Sequence, residues 1–114
     1  MYTILNEKGD EIAYIQNMMI LDIKLEGVVG ILIGDCFFGK QKNVIGKIFN
    51  NTAYLISGEI VGKIQNNKEY KNINLKKAHM MEAWDLLSNI KEHTSDWIVE
   101  TKKWSKKSLF DHLT

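Results

Sequence analysis

The sequence predicts a mainly β fold with a helical C-terminal part, an α+β protein built from four β-hairpin repeats around a pseudo-fourfold axis. Three observations predict it. A small residue recurs every 16 or 17 positions between apolar neighbours, polar turns separate short apolar runs, and the apolar period lengthens to that of a helix after residue 75. The recurring small residues are Ala13, Gly30, Gly46 and Gly62.

Each repeat consists of two apolar runs joined by a polar loop, which is the sequence pattern of a hairpin. Turn-forming pairs lie between the repeats, at Gln16-Asn17, Gly34-Asp35 and Asn50-Asn51. The eight predicted strands cover 2–5, 11–15, 18–23, 28–33, 36–38, 44–49, 52–56 and 59–64. We therefore expect eight short strands joined by tight turns, with one hairpin in each repeat.

The recurring small residues have a role in packing. Side chains two residues apart in a strand share a face, so each small residue has apolar neighbours on its own face. A glycine in that setting indicates a close approach of two backbones. Four copies at a nearly constant spacing predict that the small residues pack around the central axis. The alternative is that each glycine permits a local bulge or bend.

Three segments of the repeat resemble the four-fold β-flower domain, a small bacterial family. They are Gly9-Asp10-Glu11-Ile12-Ala13-Tyr14, Val44-Ile45-Gly46-Lys47 and Gly58-Glu59-Ile60-Val61-Gly62-Lys63. The resemblance covers about residues 2–63 and implies four hairpins packed around a pseudo-fourfold axis. It implies no catalytic residue, because the family has no established activity. The second repeat departs from the pattern, with Leu25-Glu26-Gly27 as its turn and Ile31 where the others have Tyr or Lys.

The last third of the chain changes in character. A β domain over 1–65 is followed by a polar connector, 66–74, and by a helical segment, 75–114, which we expect to pack on the β domain. The spacing of apolar residues predicts a helix over 75–92 with Asn74 as its N-cap. The apolar stripe of that helix comprises Met80, Ala83, Trp84, Leu87 and Ile90.

The end of the chain is harder to interpret. Residues 95–104 fit a second helix, with Trp97, Thr101 and Trp104 on one side, or a strand that begins at Trp97; the helix is the preferred interpretation. Ser108 predicts the start of a short final turn. That turn would bury Leu109, Phe110 and Leu113.

Composition narrows the classes of partner. All fifteen basic residues are lysine and the net charge is +1, which argues against nucleic acid, because arginine is the usual reader of phosphates and base edges. The longest apolar run, 28–33, is too short for a membrane span. Cys36 is the one cysteine, so no intrachain disulfide can form. With no signal-peptide pattern in the first ten residues, we expect a cytoplasmic protein.

Neither catalysis nor metal binding is indicated. Cys36 follows Asp35 in an apolar strand, and an acidic neighbour opposes formation of a thiolate. His79, Glu82 and Asp85 lie three residues apart on the predicted helix, but a polar solvated face explains them better than a metal site. We therefore predict no catalytic residue, no metal and no cofactor.

Lysines recur on the outer strand faces. Lys47 and Lys63 occupy matching positions in the third and fourth repeats, where the first repeat has Tyr14. They lie on the face opposite the small residues, because adjacent residues in a strand point to opposite sides. The plain interpretation is an outer face with snorkelling lysine stems, and a repeated ligand cup is the alternative.

The candidate interaction surface lies in the tail, where lysines flank aromatic residues. Its residues are Trp97, Trp104, Lys102, Lys103, Lys106 and Lys107. The same pattern also fits a solvated face with tryptophan docked inward. We expect a non-enzymatic binding or scaffold module whose partner is another protein or a second copy of itself. The alternative is a small-molecule-binding protein or enzyme with a pocket at one end of the β domain.

Overall fold

The structure, a computed structural model, describes residues 1–41, 43–66, 75–90 and 97–114. Its centre is a closed antiparallel barrel in which each strand pairs with the next along the chain and the last pairs with the first. The strands are β1 (Tyr2–Leu5), β2 (Glu11–Gln16), β3 (Met19–Asp22), β4 (Val28–Ile33), β5 (Cys36–Phe38), β6 (Gly46–Phe49), β7 (Thr52–Leu55) and β8 (Ile60–Asn66). The predicted fold class, mainly β with a helical part, is confirmed.

The sequence repeat becomes a repeated cross-strand pair. In every hairpin the small residue lies opposite a buried residue of the first strand. The pairs are Ile4 with Ala13, Ile20 with Gly30, Phe37 with Gly46, and Ala53 with Gly62. All four of these first-strand residues belong to one buried cluster drawn from around the barrel. An eight-stranded barrel has an interior just wide enough for side chains to fill, and this cluster is that filling.

The glycines of the last three repeats have no room for a side chain. A Cβ atom on Gly46 would lie 1.8 Å from the carbonyl oxygen of Tyr54, and one on Gly30 would lie 2.6 Å from that of Phe38. A Cβ atom on Gly62 would lie 2.5 Å from Cγ2 of Ile4. Adjacent backbones therefore restrict Gly30 and Gly46, whereas an interior side chain restricts Gly62. That all four small residues define a common axis stays a prediction.

The first C-terminal helix is shorter than predicted. Helix α1 covers Lys77–Ser88, with Lys76 before it as N-cap and Asn89 after it as C-cap. The predicted cap Asn74 and most of the connector lie outside the described residues, and Asn66 belongs to β8. Neither helix in the described part of the chain is long and apolar enough to cross a membrane.

The preferred helix over 95–104 is wrong for residues 97–104, which contain no helix. Trp97 and Val99 are exposed while Ile98 between them is buried, an alternation typical of extended chain. Ile98 packs with Tyr54 and Ile60 on the outside of the barrel. An extended segment was the other interpretation, and a bridge between Trp104 and Ile60 makes it locally strand-like.

The predicted final turn is confirmed as helix α2, Leu109–Leu113. Its N-cap Ser108 accepts a hydrogen bond from the Asp111 amide at 3.3 Å. Leu109 and Leu113 are buried and join the cluster inside the barrel, whereas Phe110, also predicted to be buried, is only partly buried and packs against it. The Lys40 amide donates to the Leu113 carbonyl at 2.8 Å, so α2 is fastened to the segment that follows β5.

Candidate functional site

Helix α1 packs on the outside of the barrel against β3, β4 and β5. Its inward face consists of His79, Ala83 and Leu86, and Ile90 beyond the helix continues it. The predicted stripe is therefore displaced, because Met80, Trp84 and Leu87 are exposed. The sequence missed this because the helix has more apolar positions than one inward face can hold, so spacing alone left its orientation open.

Two polar contacts fix the first turns of α1 to the loop between β3 and β4. The ring of His79, which is 4% exposed, lies with Nε2 3.0 Å from the Leu25 carbonyl oxygen. Its Nδ1 accepts a hydrogen bond from the Lys76 amide at 3.1 Å. One turn further on, the Glu82 carboxylate accepts from the Val28 amide at 3.4 Å. These contacts hold the helix while leaving its far side uncovered.

An apolar groove runs between α1 and the adjacent turns of the barrel, and we call it the α1 groove. It has a volume of about 460 Å³. It is lined by Asn17, Met18, Met19, Ile31, Leu32, Ile33, Gly34, Met80, Ala83, Trp84 and Leu87. None of these lining residues carries a charge. Trp84, which is 68% exposed, stands at its helical wall.

Met18 stands on the opposite wall in a strained backbone conformation. Asn17 and Met18 form a two-residue turn with φ of 51° and 64°, both left-handed. The equivalent turn between the third and fourth repeats is Asn50-Asn51, with φ of 52° and 54°. Asparagine tolerates this conformation, whereas an unbranched apolar residue gains nothing from it. Yet Met18 is 64% exposed, so the turn carries a strained apolar residue that points to the groove side of the barrel.

Leu25, beyond the other end of β3, is a second apolar residue with a left-handed backbone conformation. The amides of Gly9, Leu25 and Gly58 each donate to the carbonyl three residues earlier, and all three residues have positive φ. Leucine thus stands where the first and fourth repeats use glycine. Its side chain packs in the cluster beneath α1, and its carbonyl faces His79. Docking of the helix therefore accounts for the leucine.

The third departure of the second repeat is Ile31, where the others have Tyr14, Lys47 or Lys63. Ile31 is buried in the cluster beneath α1 and also lines the groove. The structure thus places Met18, Leu25 and Ile31 on the side of the barrel that α1 partly covers. An alignment of the turns between repeats could have identified Met18 from the sequence, since Met18 aligns with Asn51.

The tail residues predicted as an interaction surface differ in their exposure, and their role in interaction stays a prediction. Trp97 is 89% exposed, and the four lysines at 102, 103, 106 and 107 are exposed as well. Trp104 is half-buried beside Tyr54 and Ile60. Trp97 therefore stands in solvent, whereas Trp104 packs on the barrel.

A second depression, the barrel-end cavity, lies between the β1–β2 loop and the C-terminal segment. Its volume is about 330 Å³. Its lining includes Trp104, Lys106 and Lys107 from the tail, together with acidic and basic residues of the loop. Ser105 Oγ and His112 Nε2 lie 3.0 Å apart at this end of the molecule. The cavity is smaller and more polar than the α1 groove.

The lysines of the outer strand faces have local partners. Lys47 is buried, with its ammonium nitrogen 3.9 Å from the Asp35 carboxylate. Lys63 donates to the Thr52 hydroxyl at 3.2 Å. The Tyr14 hydroxyl donates to Glu11 at 3.2 Å, so the three matching positions have different environments. These side chains therefore do not line a shared ligand cup.

The residues considered for catalysis or metal binding are buried, contact backbone groups or are exposed to solvent. Cys36 is buried, with its sulfur 3.7 Å from an oxygen of Asp35. His79 and Glu82 contact backbone groups of the β3–β4 segment, while Asp85 is exposed. Within the residues that the structure describes, no group of three or more His, Cys, Asp or Glu side chains could hold a metal ion.

Comparison with known proteins adds no assignment, since no family model, curated protein or solved structure matches the chain. The resemblance to the β-flower family therefore remains a prediction. The structure itself shows a closed eight-stranded barrel with an apolar groove bordered by one docked helix.

Proposed function

We propose that the protein is a non-enzymatic binding module whose α1 groove accepts the apolar face of an amphipathic helix from a partner protein. The observation that carries the proposal is Met18. It is exposed, lines the groove and holds a left-handed backbone conformation for which the equivalent turn uses asparagine. Strain retained at a surface position is more typical of binding sites than of packing.

The chemistry of the groove selects apolar side chains. Nine of its eleven lining residues are apolar, and the other two are Asn17 and Gly34. Three of the nine are methionines, whose flexible and polarisable side chains adapt to varied apolar partners. A phosphorylated or acidic segment would instead need arginine or lysine in the lining.

The closed barrel favours a helical partner over an extended one. An extended peptide commonly binds by adding a strand to an exposed sheet edge. The eight described strands close on themselves, so they offer no such edge beside the groove. A partner helix needs only a slot for side chains at positions i, i+3, i+4 and i+7, and α1 and the β2–β3 turn provide the two walls.

Trp84 is the residue we expect to contribute most to binding. It is largely exposed in the free protein and lies on the same helix as Met80 and Leu87. Tryptophans that become buried at an interface are the commonest hot spots, and their truncation typically costs at least about 2 kcal/mol of binding free energy. Its indole also reports binding through its fluorescence.

The test uses two peptide libraries of equal length. One displays amphipathic helices with leucine, methionine or phenylalanine on one face, and the other displays proline-containing extended sequences. We expect selection on the full chain to enrich helices that bind with micromolar affinity or better. Trp84→Ala should weaken the selected peptide more than tenfold, because about 2 kcal/mol corresponds to a factor near 30.

Trp97→Ala is the matched control, because Trp97 is also exposed but lies outside the groove. It should leave the affinity within twofold of the wild type. Enrichment of extended peptides only, or equal losses in both variants, would overturn the proposal. A wild-type dimer in sedimentation equilibrium that Trp84→Ala dissociates would assign the groove to a second copy instead.

Small-molecule binding at one end of the β domain is the second candidate, and the barrel-end cavity favours it. At about 330 Å³ the cavity falls within the lower range of ligand pockets, and Trp104 lies in its wall. A fragment screen monitored by NMR would test it. Ligands whose shifts map to Trp104 and Phe110 would support it, and an absence of hits there would count against it.

A further inference from the structure

We infer that the barrel-end cavity binds a small aromatic monocarboxylate, with its ring on an apolar floor and its carboxylate among lysines at the rim. This ligand class rests on the second candidate function, because it concerns what that same cavity accepts. It is independent of the α1 groove and of any helical partner. Three features of the lining carry it, namely the apolar floor, two preformed walls and an excess of cationic side chains.

The floor of the cavity is continuous with the interior of the barrel. Val61 and Leu109 are buried members of the cluster that fills the barrel, and Ile12 and Phe110 pack against that cluster. Trp104, which is half-buried, adds a second aromatic ring to the lining. Aromatic rings pack favourably against one another in stacked or edge-to-face arrangements. The floor therefore favours a ligand whose body is an apolar ring system.

Both walls of the cavity are held in place by hydrogen bonds of the protein itself. In the β1–β2 loop, the Asn6 side chain accepts from the amides of Lys8 at 3.0 Å and Asp10 at 2.9 Å. On the opposite side, the Ser105 amide donates to the Ile60 carbonyl of β8 at 2.8 Å. A preformed pocket loses little conformational entropy when a ligand binds, so a small ligand can bind there without first ordering a loop.

The charges of the lining favour an anion. Three lysines and two acids line the cavity, which leaves one net positive charge; they are Lys8, Lys106, Lys107, Glu7 and Asp10. All five are exposed, and the ion pair found among the described residues includes none of these lysines. Asp111 of α2 does not line the cavity, and its carboxylate accepts from the Ser108 amide at 3.4 Å. One negative charge on a ligand would therefore balance the lining.

The type of cation favours a carboxylate over a phosphate. A lysine ammonium is a point charge without the bidentate fork of arginine, and the chain contains no arginine. A phosphate monoester carries about −1.5 to −2 charges at neutral pH. It would therefore bring more negative charge beside Glu7 and Asp10 than the lining can balance, whereas a carboxylate brings one.

The test uses four ligands that share a naphthalene ring and differ in their polar group. They are 2-naphthoate, 2-naphthalenemethanol, 2-naphthylmethylammonium and 2-naphthyl phosphate. Each is titrated into the full chain at pH 7.5 and low salt, and dissociation constants are taken from the NMR shifts of the Trp104 indole and the Phe110 amide. We expect the carboxylate to bind at least about fivefold more tightly than the alcohol or the ammonium, and more tightly than the phosphate.

Salt separates the charge of the ligand from its ring. Interactions between exposed charges are screened at high ionic strength. Sodium chloride at about 0.5 M should therefore weaken binding of the carboxylate at least about threefold, while the affinity for the alcohol stays within about twofold.

Two matched double variants locate the charge that the carboxylate meets. Lys106→Gln with Lys107→Gln removes both tail lysines of the lining, and should weaken the carboxylate at least about fivefold while leaving the alcohol within about twofold. Lys102→Gln with Lys103→Gln removes the same charge from the same tail outside the lining, and should leave both ligands within about twofold. All four side chains are exposed, so neither variant disturbs the core.

Equal affinities for the carboxylate and the alcohol would overturn the inference but leave the cavity as a small-molecule site. So would tighter binding of the ammonium or the phosphate. Equal losses in the two double variants would also overturn it, because the general charge of the tail would then attract the ligand. If none of the four ligands shifts Trp104 or Phe110, the inference fails, and hits of other chemistry in the fragment screen would show that the second candidate function survives it. Helix binding in the α1 groove is unaffected by each of these outcomes.

Discussion

Replacing Met18 with asparagine separates the strain at the groove from the stability of the barrel. The substitution turns Asn17-Met18 into the Asn-Asn sequence that the molecule already uses at Asn50-Asn51 with nearly the same φ angles. The backbone amide and carbonyl are unchanged, so the hydrogen bond from the Leu32 amide to the carbonyl of residue 18 is retained. Only the side chain and its conformational preference differ.

Two opposing terms set the expected change in the free energy of unfolding. Left-handed backbone costs a residue such as methionine about 1–2 kcal/mol, and asparagine recovers roughly 1 kcal/mol of this. Met18 is 64% exposed, so about a third of its surface is covered. Since full burial of methionine contributes about 1.5–3 kcal/mol, the lost contact costs ~0.5–1 kcal/mol. Met18→Asn should therefore lie between no change and a gain of about 0.5 kcal/mol.

Urea unfolding followed by circular dichroism measures this directly. The matched control is Asn51→Met, which introduces the same strain at a turn outside the groove and should destabilise by about 1 kcal/mol. In the binding assay, Met18→Asn should weaken the selected helix at least fivefold, whereas Asn51→Met should leave its affinity unchanged. A loss of more than about 1 kcal/mol in Met18→Asn would refute the reasoning, because Met18 would then be a packing residue.

Two further predictions concern the barrel. Burial raises the pKa of Tyr54 above its ordinary 10.0, and the hydrogen bond from its hydroxyl to Glu100 at 3.0 Å raises this pKa further. The stability that the Tyr54 hydroxyl contributes is therefore complete below pH 10 and is lost as the pH rises further. Tyr54→Phe should cost about 1 kcal/mol at pH 8 and progressively less above pH 10, measured by urea unfolding; an equal cost at both would contradict the assignment. Gly46→Ala should destabilise by more than about 3 kcal/mol, because its Cβ would overlap the Tyr54 carbonyl, whereas Gly27→Ala, with its nearest atoms 3.5 Å away, is the tolerated control in thermal melts.

The position of α2 shows what local signals and tertiary contacts each contribute. Ser108 and the apolar residues after it predict the short helix, because an N-cap and a hydrophobic pattern act within a few residues. That Leu113 joins the core of the barrel, with its carbonyl bonded to the Lys40 amide, depends on contacts between residues more than seventy positions apart. Spacing along the chain contains no information about such a contact.

By itself the sequence determined the eight strands and the hairpin of each repeat, since strand periodicity and turn chemistry are local. The tertiary structure alone decided that the strands close into a barrel, that residues 97–104 are extended, and which face of α1 is buried. Each of these depends on contacts between elements that are far apart in the chain. The α1 groove belongs to this second group. Its walls come from a turn and a helix some sixty residues apart, and only Met18, out of place in its turn, marks it in the sequence.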